Sequence, residues 1–434
     1  MRLLPLVALL AFGCNGSSDA NGADGGPDLS PENDLARQHD GPGVTPDSNP
    51  SDAAGKEDGD APAKVPLEGY GTTSTFGAGG QTCTVTTLNN AGAGSLRQCV
   101  ENRSTTGDNP TPVTVVFSVG GTINLTSDLW LRQPYLTIDG LSAPAPGITL
   151  AKSGNGQDGE VAINTWKGNQ TCGHDVLVQG IRFKGVWTRD TDQHSQNAGT
   201  IGFDGEDLPL CLKNVALNRI TVIDGQDAAG DIWGSAKNVT VQYSAFIYDY
   251  HPSTYSHSGN AVEQRRERIS NHHNLYAYFH ERGPQVRGDV QDLNYEQNIV
   301  HKWAAFGFGG GYAMRLRYLD SVHPLRVNLV QNHWTSGGVN LDSAIVIGDK
   351  AGPGDDGAVP PQVFMSQNRL PAQNVDKGTA TQAFIRPPEA KVTLFPASQL
   401  TGKVLPRIGV PHRTAEEKTV FAEVAQQVTA DLGP

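Results

Sequence analysis

The chain is poor in charge, in cysteine and in long apolar runs. Its 434 residues hold 33 Lys+Arg against 45 Asp+Glu, a formal net charge of −12. A nucleic-acid binder usually presents a basic domain, and this chain has none. It has five cysteines but no CxxC and no His/Cys cluster, so no zinc pattern is present. Past the first dozen residues no segment reads as transmembrane. Helical periodicity is scarce, with two exceptions: a short stretch around Gly94 to Val100 and a late one from Ala415 to Leu432. Asn-Gly hairpin signals are not prominent, which counts against a β-sandwich.

What is present begins with a targeting segment. Arg2 supplies a positive start, Leu3 to Phe12 a short apolar core, and Ala11-Phe12-Gly13-Cys14 a small-residue cleavage site ending in cysteine. The cysteine at the cut resembles a bacterial lipobox and implies a lipid on Cys14; the plainer alternative is an ordinary signal peptide. Asn15 lacks the aspartate associated with inner-membrane retention, so a secreted or outer-membrane-anchored protein is expected, touching the membrane only through the anchor. Residues 15–68 read as a disordered acidic linker. They are rich in Ser, Gly, Asp, Pro and Ala, contain no aromatic residue, and carry twelve Asp+Glu against three Lys+Arg. That segment holds −9 of the net charge, leaving only −4 on residues 69–434 once Arg2 is counted. The folded domain is read as 69–434. Its four cysteines, Cys83, Cys99, Cys172 and Cys211, fit two disulfides in an exported chain. Three pairings are open, and the sequence-local pairs Cys83–Cys99 and Cys172–Cys211 are expected.

From Gly69 onward, short β runs alternate with Gly, Asn, Asp and Pro. Thr82 to Leu88, Val113 to Val119, Tyr135 to Ile138 and Val176 to Val178 are examples. A loose repeat runs through them. Lys213-Asn214-Val215 returns as Lys237-Asn238-Val239 twenty-four residues later, and Asn274 and Asn298 are also twenty-four apart. Coils of two to three dozen residues, each with short strands and an Asn near a turn, predict an all-β fold: a single-stranded right-handed parallel β-helix. Inward apolar residues would stack between coils, Asn side chains would form ladders, and loops between coils would build the binding face.

The most pointed stretch is His280-Glu281-Arg282-Gly283-Pro284-Gln285-Val286-Arg287. Two arginines sit five residues apart around a proline. Each guanidinium can grip a carboxylate with two parallel hydrogen bonds, so an acidic ligand is indicated. On the residues alone, a surface arginine pair neutralised by Glu281 and Asp289 is the competing reading.

In order along residues 69 to 430, the pieces Val85-Thr86-Thr87-Leu88, Gly94-Ser95-Leu96-Arg97, Val119 to Ile123, Thr137-Ile138-Asp139-Gly140, Val178 to Phe183, Asn238 to Ser244 and the arginine motif resemble the pectate lyase family of β-helical polysaccharide lyases. The resemblance implies β-elimination on polygalacturonate. Arg282 matches the family's C5 proton-abstracting base, and Arg287 the second arginine that positions substrate. It also implies calcium, because the C5 proton is too weakly acidic unless charge on the C6 carboxylate is neutralised by a hard cation with oxygen ligands. Asp227 and Asp231 resemble the family's acidic pair spaced by four, with Asp227 where Glu is common. The acids of Asp204-Gly205-Glu206-Asp207, one coil earlier, are further ligand candidates; solvated turn acids are the plain alternative. There are departures. No lysine stands one coil before the arginine, and His251 is the stand-in for substrate binding. The family's Trp-Ile-Asp-His run reads Val215-Ala216-Leu217-Asn218-Arg219 here. His272 and His273, adjacent on a strand, point to opposite faces and read as structural. Trp303 and the loop 307–312 are candidates for a sugar-stacking surface, with a plain loop the alternative.

The expectation is an exported, monomeric, calcium-dependent lyase for an acidic polysaccharide, pectate. The alternatives are a lyase for methylated pectin or another uronide with little need of calcium, and a non-catalytic β-helix that binds acidic glycan. A glycoside hydrolase would need paired acid and base carboxylates, and nothing favours it.

Overall fold

The computed structural model describes residues 65–433 except 102–109, 154–159, 167–170, 190–199, 206–210, 228, 257–265, 288–289, 307, 309–310, 319–324, 336–343, 351–358, 372–377 and 385–386. The leader read at 1–14, residues 15–64 of the spacer, Glu206 and Asp207 lie outside the described residues; of Asp204 only the backbone is described.

Inward-facing Val, Ile and Leu residues set the architecture. Val176, Val215, Val239, Ile269, Leu293, Val327 and Val363 are successive register partners across seven strands. All seven are fully buried. Each buried side chain of this kind contributes roughly 1.5–3 kcal/mol, so the column holds the strands in register. The strands fall into three parallel sheets of ten, eight and nine strands, which the chain visits in turn. Lys213–Asn218 lies in the ten-stranded sheet, Thr221–Ile223 in the eight-stranded one and Gly230–Gly234 in the nine-stranded one; Ala236–Gln242 then returns to the first. This is the right-handed parallel β-helix expected from the repeat.

The turn from the ten-stranded to the eight-stranded sheet explains the recurring Asn. Tyr243, His273, Gln297, Gln331 and Gln367 all adopt left-handed backbone there, with φ of 46, 56, 51, 54 and 54°. The next residue is Asn in four of the five turns, and its side chain accepts the backbone N–H of its counterpart one coil earlier: Asn274 to Asn298, Asn298 to Asn332 and Asn332 to Asn368, each 2.9 Å. Those amides would otherwise be buried and unpaired. The turn also corrects one sequence expectation. Because His273 is left-handed, the two histidines do not point apart: His272 Nδ1 lies 2.7 Å from His273 Nδ1. Both are buried, and His273 stacks on Tyr243, so their role is structural as read. Cys83–Cys99 and Cys172–Cys211 are both bonded.

Two sheets are covered from outside. The first described residues pack on the ten-stranded sheet: Val65 is buried, Glu68 N–H donates to Gln242 Oε1 (2.9 Å), and Gly71 N–H donates to Thr240 Oγ1 (2.9 Å). The C-terminal helix Ala415–Leu432 lays Val420, Phe421, Val424 and Val428 on Ala245, Ile247, Leu275, Ala277 and Ile299 of the eight-stranded sheet. A capping box between Thr414 and Glu417 starts that helix. Glu417 is also gripped by Arg182 from the sheet, at 2.9 and 2.7 Å.

Candidate active site

Three successive coils bring polar residues together where the chain enters the nine-stranded sheet. The first supplies Asp227 and, inside strand Gly230–Gly234, Asp231. The second supplies His251, ahead of Thr254–Ser256. The third supplies Glu281 and Arg282, ahead of Gln285–Arg287. Backbone bonds lock the coils at this level: Tyr250 N–H to Gly225 O (2.8 Å), His251 N–H to Gln226 O (2.9 Å) and Ser253 N–H to Arg282 O (2.9 Å). Arg282 has left-handed backbone, φ 64°.

The side chains form a closed ring. His251 Nδ1 lies 2.6 Å from Asp227 Oδ1, and its Nε2 lies 3.2 Å from Glu281 Oε1. Arg282 bridges the same two oxygens, Nη1 to Asp227 at 3.3 Å and Nε to Glu281 at 3.3 Å. His251 is buried, with one carboxylate at each ring nitrogen. Burial alone would raise the Glu281 carboxyl, but the hydrogen bond and charge of His251, with Arg282 and His280, bring it down to about 2. Burial works to lower the Arg282 pKa, and Asp227, Tyr312, Glu281 and Asp231 outweigh it and hold it above the ordinary value. The resting guanidinium is therefore a firmly held cation. Tyr312, pushed up to about 12 by burial and by Glu281, donates to Gln285 Oε1 at 2.6 Å.

Asp231 sits deeper. Burial, and then the charge of Asp227, push its carboxyl well above the usual range, against the opposing pull of the Thr254 N–H and Arg282. Glu160 adds to the upward push. It reaches this place through a glycine. Register pairs Asp231 with Gly202 and Gly202 with Ala162, and a Cβ on Gly202 would stand 2.7 Å from Glu160 Oε1. The missing side chain is the space that the Glu160 carboxylate uses.

A hard cation takes oxygen donors, and Glu160 and Asp227, both close enough to Asp231 to raise its carboxyl, are of that chemistry. Among the described residues no three His, Cys, Asp or Glu side chains stand ready as a metal cluster. The charge balance nevertheless fits a cation: carboxylates crowded together, one of them driven toward its neutral form, are what a divalent ion relieves.

Comparisons with known proteins bear on this geometry. No protein-family model matches the chain. A protein of Aspergillus fumigatus named "Probable pectate lyase C" is 31% identical over 272 residues, 62% of this chain and 53% of that protein. The Aspergillus terreus protein of the same name is 30% identical over 272 residues, with the same coverage. By sequence, the chain is a relative of proteins named pectate lyase. It spans about half the length of the curated relatives it matches. Among solved structures, the cedar pollen major allergen jun a 1 superposes with a TM-score of 0.57 at 14% identity, covering 79% of this chain and 92% of that one. A pectate lyase from a Bacillus species in complex with trigalacturonate gives 0.52 at 16% identity, covering 80% and 99%. At such identities these two establish the shared fold.

Of the residues singled out in the sequence, the fold gathers Asp227, Asp231, His251 and Arg282 at one place. Arg287 lies five residues on, partly exposed on the nine-stranded sheet and paired in register with Arg317. Asp204 is in register with Trp233, two residues past Asp231. Glu160 and the ring role of Glu281 were not read from the sequence as site features. Glu160 has no signal there, since it lies two coils away and only the Gly202 gap connects it. Trp303 does not form a sugar-stacking surface: it is buried in the core, in register with Phe279.

Proposed function

We propose that this protein is an exported polysaccharide lyase that cleaves pectate by β-elimination, with Arg282 as the base. The observation that carries the reading is the placement of Arg282 in the ring with Asp227, His251 and Glu281, beside the buried Asp231, at the entry to the nine-stranded sheet of a β-helix whose fold pectate lyases share. The names of the sequence relatives support it. A bound divalent cation, calcium by the chemistry of the donors, would neutralise the C6 carboxylate of the uronide; Asp227, Asp231 and Glu160 are residues that would hold it, and the acids of the 204–207 group, whose side chains lie outside the described residues, stay candidates beside them. Arg282 abstracts the C5 proton only in its minor neutral form. Its present partners oppose that form, so catalysis requires Asp227 and Asp231 to spend their charge elsewhere. Glu281 and His251 then hold the guanidinium in place, and Arg287 grips a substrate carboxylate from the sheet face. His251 positions the ring and does not offer a free cation to substrate. The lipid on Cys14, export to the cell exterior and a monomeric state belong to the same proposal.

The test is growth of ultraviolet absorbance from unsaturated products on polygalacturonate, with and without calcium, for the parent protein and Arg282→Ala. Calcium-dependent growth that disappears in the variant is the expected result. Retained binding with no product on either polygalacturonate or methylated pectin would instead leave a glycan-binding β-helix.

A further inference from the structure

We infer that the indole of Trp233 is a pyranose-stacking subsite beside the acidic cluster, a binding element for one sugar ring of an acidic polysaccharide. The inference rests on the uronide reading of the site above. Strand Gly230–Gly234 alternates: Ile232 is fully buried in the core, so Asp231 and Trp233, two residues apart, share the opposite face. Trp233 is partly exposed there. Its register partners are Asp204 on one side and Ser256 on the other. Among the described residues, no ring, cation or hydrogen-bond partner engages this indole. The other tryptophans whose side chains are described are taken. Trp130, on the same sheet, has its face covered by the Arg132 guanidinium, 4.3 Å from the ring centroid. Trp187 packs edge-on against Tyr250 and Phe306. Trp303 and Trp334 are core residues.

An aromatic platform that no described residue covers, on a polar sheet face, suits a ligand with one apolar face and polar edges. A pyranose ring has both: its C–H groups lie on a flat indole while hydroxyls and carboxylate point to the rim. Arg287 stands two strands further along the sheet, roughly 10 Å away at the usual strand spacing. A chain laid over this face would be stacked at Trp233 and held by a carboxylate at Arg287. Stacking does not read charge, so this subsite accepts a methyl-esterified ring as readily as a free acid.

The test separates this subsite from the lyase chemistry. Trigalacturonate and its methyl ester are titrated into Arg282→Ala, followed by tryptophan fluorescence and calorimetry, with and without Trp233→Thr or Trp233→Phe. Thr suits a strand and Phe keeps a ring, so one variant carries the test if the other fails to fold; thermal melting identifies which. The expected result is about threefold to tenfold weaker binding in Trp233→Thr, a smaller loss in Trp233→Phe, equal factors for acid and ester, and loss of the fluorescence change. In the active background KM rises while kcat holds. Affinity within twofold of the parent with the fluorescence change intact overturns the subsite, as does a parent that binds neither probe. If the parent makes no unsaturated product yet shows the Trp233-dependent binding, the lyase reading fails and the subsite stands. If calcium-dependent cleavage is found with KM unchanged in Trp233→Thr, the subsite fails and the lyase reading stands.

Discussion

Two outer faces of the β-helix bury charged groups, and they treat them differently. Under the C-terminal helix, charges are matched. Arg182 grips Glu417 with two bonds, His333 lies 3.0 Å from Asp431, and Lys302 and Tyr278 both reach Glu423. In the cluster where the chain enters the nine-stranded sheet, acids outnumber cations: Glu160, Asp227, Asp231 and Glu281 gather with Arg282 and His251, and the Asp231 carboxyl is driven upward. The first arrangement is what a packing interface requires. The second is costly in a resting protein, and such cost persists where a ligand is meant to complete the balance.

The largest effect that tests this contrast is on turnover. Arg282→Ala should reduce unsaturated-product formation by about 10²–10⁴-fold, the range for a lost general base, with little change in the thermal midpoint. Its counterpart under the helix, Arg182→Ala, should do the reverse. It strands the Glu417 carboxylate in a buried place and should cost about 3–5 kcal/mol of stability by denaturant titration, while kcat measured on the folded fraction stays near the parent value. If Arg182→Ala instead abolished turnover in fully folded protein, the division of roles between the faces would be lost.

A smaller effect has opposite sign at the two faces. Asp231→Asn removes a carboxyl that burial and Asp227 already push toward neutrality. In chelator it should raise stability by about 1 kcal/mol and lose calcium-dependent activity, the familiar exchange of stability for function. Glu417→Gln should destabilise. Asp231→Asn melting below the parent in chelator would mean that its charge is satisfied and that the excess of acid is illusory.

The eight-stranded face also has a pH signature. His301 is buried between Thr335 and Glu423, and burial lowers its pKa from 6.5 to about 4. Between those values the unfolded chain binds the proton and the folded one does not, so stability falls as pH drops from 6.5 toward 4, by up to about 1.4 kcal/mol per unit. Glu423 runs the other way in origin. Its carboxyl is lowered to about 2 by Lys302 and Tyr278 despite burial, so its contribution is present above 4.5 and fades as pH falls toward 2. His273, lowered to about 4 at a turn away from the helix, adds to the first window. His301→Gln should therefore flatten part of the slope between pH 4 and 6.5 in thermal melts, and an unchanged slope would sink the assignment.

How much of this was legible in the sequence follows from what each feature depends on. The coil is written locally, as a left-handed residue followed by Asn, with strands before and after; the twenty-four-residue spacing of Asn274 and Asn298 is therefore visible without a structure. The Arg282–Arg287 motif and the Asp227–Asp231 spacing are local too. What depends on stacking between coils was not visible. Coils differ in length, so distance along the chain does not give register. That is why the sequence could not show that Gly202 is the register partner of Asp231, or that Glu160 arrives from two coils away. The same uncertainty misassigned Trp303. Whether an aromatic residue faces the core or solvent is one step of strand alternation, which placed Trp303 inside and Trp233 outside.

The smallest effects pit one glycine against another. Gly409, on the helix-covered face, has φ 75°, and a Cβ there would meet Thr221 Oγ1 at 2.8 Å. Its N–H donates to Tyr243 O at 2.7 Å, so the backbone cannot easily relax. Gly409→Ala should lower stability by about 1–2 kcal/mol and leave the calcium requirement unchanged. Gly202 has no such strain. A methyl group there meets only the tip of the Glu160 side chain, a flexible neighbour that can swing away. Gly202→Ala should thus change stability by less than about 0.5 kcal/mol, while displacing Glu160 from Asp231 and raising the calcium concentration for half-maximal activity severalfold. The same substitution then reads out as stability on one face and as cation affinity on the other. Equal calcium curves for parent and Gly202→Ala would remove Glu160 from the ligand set and leave Asp227 and Asp231 to hold the cation with residues outside the described part of the chain.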